Sequence, residues 1–122
     1  MRYPGLTLRI LGTNDPAMGP GKAELISRIE ATGSISAAAR EMNMSYRRAW
    51  LLVAAINDSF IEPVVLTAIG GKRGGGAQVT EFGRQLVVQF RAMEDRASAA
   101  IADDLARFTQ QLHRPAARRK AR

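Results

Sequence analysis

Residues 33–50 read GSISAAAREMNMSYRRAW, and this stretch decides the fold that we predict for the chain. It contains two short helical segments, separated by a break in the pattern at residues 43–45. The small alanines at residues 38–39 allow the first of these helices to pack closely against the second. Met42 and Met44 are expected to fill the angle between them. The stretch therefore predicts a helix-turn-helix.

Local signals predict where the helices begin and end. We expect three helices over about residues 21–33, 36–43 and 45–60. Ser36 and Ser45 are candidate N-caps, because a serine hydroxyl can accept a hydrogen bond from a free backbone N–H of the first turn. Glycine and proline punctuate the other boundaries, with Gly33 ending the first helix and Pro63 preventing the third from continuing.

The third helix has one apolar face, formed by Ala49, Val53 and Ile56. Trp50 lies beside this stripe in the sequence, and we expect its ring to belong to the core. Leu51 falls off the stripe and is expected on the surface.

A β-hairpin, the wing, is predicted after these helices, over residues 62–79. Residues 64–69, VVLTAI, are the strongest strand signal in the chain, and residues 77–79 can form a short return strand. Between them, the glycine-rich tip carries Lys72 and Arg73. A strand over residues 6–11 is expected before the first helix.

The predicted fold is therefore mainly α with a small β component: a winged helix-turn-helix over residues 1–79, followed by a long C-terminal dimerisation helix over residues 80–113. Thr80 is the expected cap of that helix, which would extend for about 48 Å. Its apolar stripe needs burial that three short helices cannot supply, so we predict a homodimer. Folding back onto residues 6–11 is the alternative. The predicted dimerisation residues are Leu86, Phe90, Met93, Ala97, Ile101, Leu105 and Phe108.

Composition limits the classes of function. The net charge is +7, but five of the basic residues lie in residues 114–122, which contain no acid and are predicted to be a disordered tail. The absence of cysteine excludes disulfides and thiolate metal sites. Without an apolar run long enough for a signal peptide or a membrane span, we expect a cytoplasmic protein with no membrane partner.

The start of the third helix is the candidate contact with double-stranded DNA. Side chains in the first turn of a recognition helix reach base edges and phosphates. Two adjacent arginines at a helix N-terminus, where the helix dipole disfavours cations, indicate an anionic partner. A solvated helix start is the alternative, and Tyr46 can either bond a phosphate or pack against the wing. The predicted DNA-binding residues are Ser36, Ser45, Tyr46, Arg47, Arg48, Leu51, Lys72 and Arg73.

Three motifs carry a resemblance to a known family: residues 33–39 (GSISAAA), 44–50 (MSYRRAW) and 70–77 (GGKRGGGA). They resemble the DNA-binding domain of the ModE family of molybdate-responsive transcriptional regulators, over about residues 5–95. The resemblance implies a recognition helix in the major groove and a dimerising long helix. In that family, molybdate binds in C-terminal β-barrel domains, for which this chain has no room, so it is expected to correspond to the DNA-binding part alone. Whether molybdate or another oxyanion acts as an effector of this protein stays open. The residues that the resemblance assigns to the groove and the wing are Ser45, Tyr46, Arg47, Arg48, Lys72 and Arg73.

The leading interpretation is a sequence-specific, dimeric DNA-binding transcriptional regulator that needs no cofactor or metal. The alternatives are a winged-helix protein–protein interaction module and a non-specific nucleic-acid binder that acts through the basic tail. An enzyme is not expected. The only histidine is His113, next to the tail, and the sequence shows no nucleophile, metal-ligand cluster or cofactor loop.

Overall fold

The structure, a computed structural model, describes residues 5–13, 16–67 and 76–113. Its elements confirm a mainly α winged helix. In chain order they are β1 (Ile10–Leu11), β2 (Pro16–Met18), α1 (Pro20–Thr32), α2 (Ile35–Glu41), α3 (Tyr46–Ser59), β3 (Val65–Thr67), β4 (Ala77–Val79), α4 (Glu81–Ala100) and α5 (Ala102–Thr109).

The first helix ends where the sequence predicted, but the cap of the second lies two residues earlier. Gly33 adopts the left-handed conformation, with φ of 72°, and ends α1. The Ser34 hydroxyl then accepts from the backbone N–H of Ala37, so Ser34 is the N-cap of α2. The prediction of Ser36 as the cap is therefore wrong. Ser34 is favoured because it also pairs with Gly76 in an isolated β-bridge, a long-range contact that the local pattern does not show.

The inward face of α3 is the predicted one, with Ala49, Val53 and Ile56 all buried. Trp50, expected in the core, is instead 47% exposed. It follows Ala49 by about 100° around the helix axis, which turns its ring away from the buried face.

The wing is a two-stranded antiparallel sheet in which Val65 pairs with Val79 and Thr67 with Ala77. The tip, with Lys72 and Arg73, lies outside the described residues, as does the predicted tail over residues 114–122. The N-terminal strand is shorter than the predicted residues 6–11. Its partner β2 is only three residues long and pairs with β1 alone, so residues 6–9 have no ladder to join.

One core joins these elements. Leu25, Ile26 and Ile29 of α1 are fully buried, and α1 contacts each of the other helices up to α4. Phe90 of α4 enters the same core, while Val64 and Val65 bring in the base of the wing. The helix-turn-helix is thus held on a rigid body that includes the wing strands and the first half of α4.

The predicted long helix is interrupted. At Ile101 the backbone leaves the helical region, with φ of −115° and ψ of 19°, and α5 begins at the next residue. The turn brings Leu105 and Thr109 beside Gly5: a Cβ placed on Gly5 would lie 3.6 Å and 3.5 Å from their side chains. The C-terminal part of the stripe therefore packs beside the N-terminal segment of its own chain, close to the alternative that the sequence left open. In the described ranges, no helix is long and apolar enough to cross a membrane.

Candidate nucleic-acid interface

The start of α3 is built by a side-chain cap. The hydroxyl of Ser45 accepts a hydrogen bond from the backbone N–H of Arg48 at 3.0 Å, as predicted for an N-cap. This bond fixes the first turn, in which Tyr46, Arg47 and Arg48 all have exposed side chains. A capped turn presents these side chains from a defined backbone, which a flexible loop would not do.

Arg47 and Arg48 differ from Arg28, Arg84, Arg91 and Arg107 in their electrostatic partners. Across residues 5–13, 16–67 and 76–113, neither forms an ion pair. Arg28, by contrast, contacts Glu24 at 2.7 Å and Glu41 at 3.0 Å. The two arginines of α3 therefore retain their charge for an external anion.

The paired acids lie on other surfaces of the molecule. Arg84 of α4 contacts Glu81 at 2.7 Å and Glu30 of α1 at 3.1 Å. Hydrogen bonds from Gln85 and Arg84 lower the pKa of Glu81, so this carboxylate stays ionised and paired. The negative charges of α1 and α4 are thus partly neutralised within the chain.

A shallow depression lies on the outer surface of α3. Its lining in the described part of the chain is Ser45, Arg47, Arg48, Leu51 and Leu52, without an acidic residue. Leu51 is 49% exposed, as its position off the apolar stripe predicted. Two guanidinium groups beside an aliphatic floor can donate to phosphate or to guanine O6 and N7, and can contact a thymine methyl.

The other residues of the predicted helix-turn-helix contact do not all line this depression. Ser36 is exposed within α2 and does not line the depression. Tyr46 and Trp50, one helical turn apart on α3, both present exposed rings. The sequence interpretation missed Trp50 as a surface residue. Its angular offset from the stripe of Ala49 and Val53 was the signal that could have identified it.

The wing is fastened to α3 by one amide side chain. Asn57 Oδ1 accepts from the backbone N–H groups of Val64 at 2.8 Å and Val65 at 3.1 Å, and its Nδ2 donates to the Val65 carbonyl oxygen at 2.9 Å. These bonds fix the base of the wing relative to α3. The position of the wing is therefore coupled to that of α3.

The predicted dimerisation stripe divides into a buried part and an exposed part. Phe90 is 1% exposed in the core of its own chain and cannot reach a partner in this conformation, while Leu86 is partly buried against the same core. The first half of α4 covers the winged helix itself, which the sequence pattern could not distinguish from a dimer contact. Ala97 and Leu105 are half-buried, while Met93, Ile101 and Phe108 remain exposed.

A metal site is not apparent in the part of the chain that the structure describes, where no three His, Asp or Glu side chains cluster around one position.

Comparison with known proteins identifies homologues. The chain is 41% identical over 104 residues to the molybdenum-pterin-binding protein MopB of Rhodobacter capsulatus, a match over 85% of the chain and 37% of that protein. It is 36% identical over 85 residues to the molybdenum transport protein ModE of Azotobacter vinelandii, covering 70% of the chain and 32% of that protein.

The DNA-binding transcriptional dual regulator ModE of Escherichia coli K12 is 32% identical over 88 residues, which are 70% of the chain and 34% of the regulator. No family model matches the chain. These matches confirm the resemblance to ModE proteins that the motifs indicated. The chain spans about a third of the length of these relatives.

Proposed function

We propose, from the homology of this chain to ModE proteins, that it is a transcriptional regulator that recognises specific sequences in double-stranded DNA as a homodimer. The observation that carries the proposal is the pair of exposed arginines, Arg47 and Arg48, in the capped first turn of α3, which form no ion pair with any residue that the structure describes. The Escherichia coli relative, a DNA-binding transcriptional dual regulator, supports the same conclusion.

Each part of the interface has a distinct role. Arg47 and Arg48 donate to guanine or phosphate from the major groove, and Leu51 contacts a thymine methyl. The wing, with Lys72 and Arg73, follows the backbone of the flanking DNA. Because Asn57 couples the wing to α3, both contacts are made in one register.

The dimer brings two recognition helices to one face of the duplex. Met93, Ile101 and Phe108 are the predicted dimerisation residues that keep exposed side chains, and Phe108 is 65% exposed. Burying this surface in a second copy removes apolar area from water. A two-fold dimer recognises two half-sites that are related by symmetry.

Selection of DNA from a random duplex library, followed by titration of the selected duplex, tests the proposal. We expect selective binding over a scrambled duplex, with affinity that falls steeply as salt increases, because phosphate contacts release counterions. The double variant Arg47→Ala, Arg48→Ala loses this preference, at about 1–3 kcal/mol for each base contact removed. Arg107→Ala is the matched control, because it also removes positive charge but in α5. This variant keeps the preference for the selected duplex.

Two results support the competing functions. A protein that enriches no duplex and shows no salt-dependent DNA binding fits the interaction module instead. Deletion of residues 114–122 that abolishes binding, with Arg47→Ala, Arg48→Ala as active as the unmodified protein, indicates non-specific binding by the tail.

The dimer has its own test. Phe108→Glu places a charge in the proposed interface and shifts the protein towards the monomer in sedimentation analysis. Val88→Glu is the control, since Val88 is also exposed but lies on the opposite face of α4 from Phe90. A Phe108→Glu protein with an unchanged sedimentation coefficient contradicts the proposed interface.

A further inference from the structure

A second basic surface adjoins the recognition helix, in a groove that we call the α1 groove. The groove runs between the β1–β2 hairpin, the start of α1 and the flank of α3, and it is lined by Arg9, Lys22, Arg48, Met42 and Leu52, among others. Three cations from three separate parts of the chain line it, and among the residues that the structure describes no acidic side chain does. Such an arrangement favours an anionic ligand.

The two cations that do not belong to α3 are held in place by specific contacts. The aliphatic stem of Arg9 lies over Gly19, because a Cβ added at Gly19 would be 3.6 Å from Arg9 Cγ. The Lys22 ammonium donates to the Pro16 carbonyl oxygen at 2.7 Å, which fixes it and leaves two of its three N–H donors. Within the described ranges, neither Arg9 nor Lys22 forms an ion pair.

The start of α1 adds to this positive potential. Its N-cap, Gly19, has no side chain to accept from the first-turn N–H groups, and the first turn contains no acid. The positive end of the helix dipole is therefore not neutralised locally, and it strengthens the field of Arg9 and Lys22.

Continuity with the α3 depression identifies the ligand. Arg48 and Leu52 line both hollows, so the α1 groove extends the same surface without interruption. A backbone strand that passes α3 in the major groove must leave along one of its flanks, and the α1 groove provides a flank with three cations. The three cations along the groove suit a strand of phosphates passing along it.

We infer that Arg9 and Lys22 bind backbone phosphates of the DNA next to the base pairs that α3 recognises. This inference rests on the proposed function. It assigns a positioning role to two residues that the sequence interpretation did not select, because each is an isolated cation far from the helix-turn-helix motif. Contacts of this kind set the register of the protein on the duplex and carry no sequence preference.

The test compares the double variant Arg9→Gln, Lys22→Gln with the charge-changing control Arg107→Gln by fluorescence anisotropy over a range of salt concentrations. Both a duplex selected by the protein and its scrambled counterpart are used. We expect the double variant to lose affinity for both duplexes by the same factor. The slope of log affinity against log salt decreases by about 2, at about 0.9 per phosphate contact. The control keeps the original slope, and a thermal melt verifies that each variant is folded.

Four results overturn the inference. If the unmodified protein binds the selected duplex and the double variant keeps its affinity and salt slope, the α1 groove does not contact DNA, while the proposed function stands. A loss of preference between the two duplexes indicates base recognition instead of phosphate binding. Stabilisation by inorganic phosphate that depends on Arg9 and Lys22, with DNA binding unchanged, indicates a small-anion site. If the unmodified protein binds neither duplex, the proposed function fails as well.

Discussion

A Cβ atom at Gly83 would lie 2.6 Å from the carbonyl oxygen of Val64, closer than a side chain can approach. The same oxygen accepts from the backbone N–H of Thr80 at 2.9 Å, and the Thr80 hydroxyl caps α4 through the N–H of Gly83. The first turn of α4 is thus fastened to the base of the wing. Only glycine allows this approach.

Gly83→Ala is therefore expected to destabilise the protein, although glycine-to-alanine changes inside helices usually stabilise. Displacing the Val64 carbonyl and the nearby Val64 and Val79 side chains costs about 1–3 kcal/mol. Urea unfolding measures the change. Gly21→Ala in α1 is the control, since nothing lies within 4 Å of its Cβ position, and its stability should be equal to or above that of the unmodified protein. Equal stability of Gly83→Ala and Gly21→Ala would disprove the close contact.

Asn57 provides a second prediction about the wing. Asn57→Leu removes three hydrogen bonds and leaves polar backbone groups of the buried residues Val64 and Val65 without partners. We expect a loss of about 2–4 kcal/mol in the free energy of unfolding, because each unsatisfied group costs about 1–3 kcal/mol. Asn57→Asp keeps both acceptor bonds and should lose less. The interpretation fails if the leucine variant is as stable as the aspartate variant.

The two serines around α2 have opposite expected effects. Ser34→Ala removes the cap and should cost about 1 kcal/mol of stability. Ser36→Ala changes an exposed position inside the helix, where alanine has the higher propensity, and should leave stability unchanged or slightly raised. Thermal unfolding of the two proteins distinguishes them. A larger loss for Ser36→Ala would restore the cap that the sequence first indicated.

The ion pairs of α1 predict a pH dependence. The hydrogen bond from Arg28 lowers the pKa of Glu24 below its ordinary value, although burial opposes this shift. A lowered pKa stabilises the fold above the unfolded-state pKa of about 4.3, and this contribution is lost as the pH falls through the folded-state value. Glu24→Gln should therefore be less stable at pH 7 by less than about 1 kcal/mol, because the pair is partly exposed. The difference should vanish under more acidic conditions, and a constant difference at every pH would contradict this origin.

Local signals predicted most of the winged helix. Gly33, Ser45 and Thr80 mark helix boundaries through bonds with their nearest neighbours in the sequence, so the pattern alone identified them. Ser34 is the N-cap of α2 in place of Ser36 because it also forms a β-bridge to Gly76, a contact between distant parts of the chain. Such a contact leaves no periodic signal.

The same limit explains the errors in α4. The apolar spacing predicted correctly that Phe90 is buried and that Leu86 packs against a core, but spacing does not identify the surface that covers them. No glycine or proline marks the break at Ile101, so the sequence pattern does not indicate it. After the break, α5 packs beside Gly5. The candidate site was predictable because its arginines are exposed on a capped turn. The groove residues Arg9 and Lys22 were not predictable, because only the fold brings them next to Arg48.

A double-mutant cycle between protein and DNA tests the central claim most directly. The affinity of the unmodified protein and of Arg47→Ala is measured for the selected duplex and for each single base-pair substitution within a half-site. If Arg47 contacts a base, one or two adjacent base pairs show a coupling energy of about 1–3 kcal/mol with it, and the others show none. The absence of coupling at every position, with tight binding to the selected duplex retained, would contradict recognition by the first turn of α3.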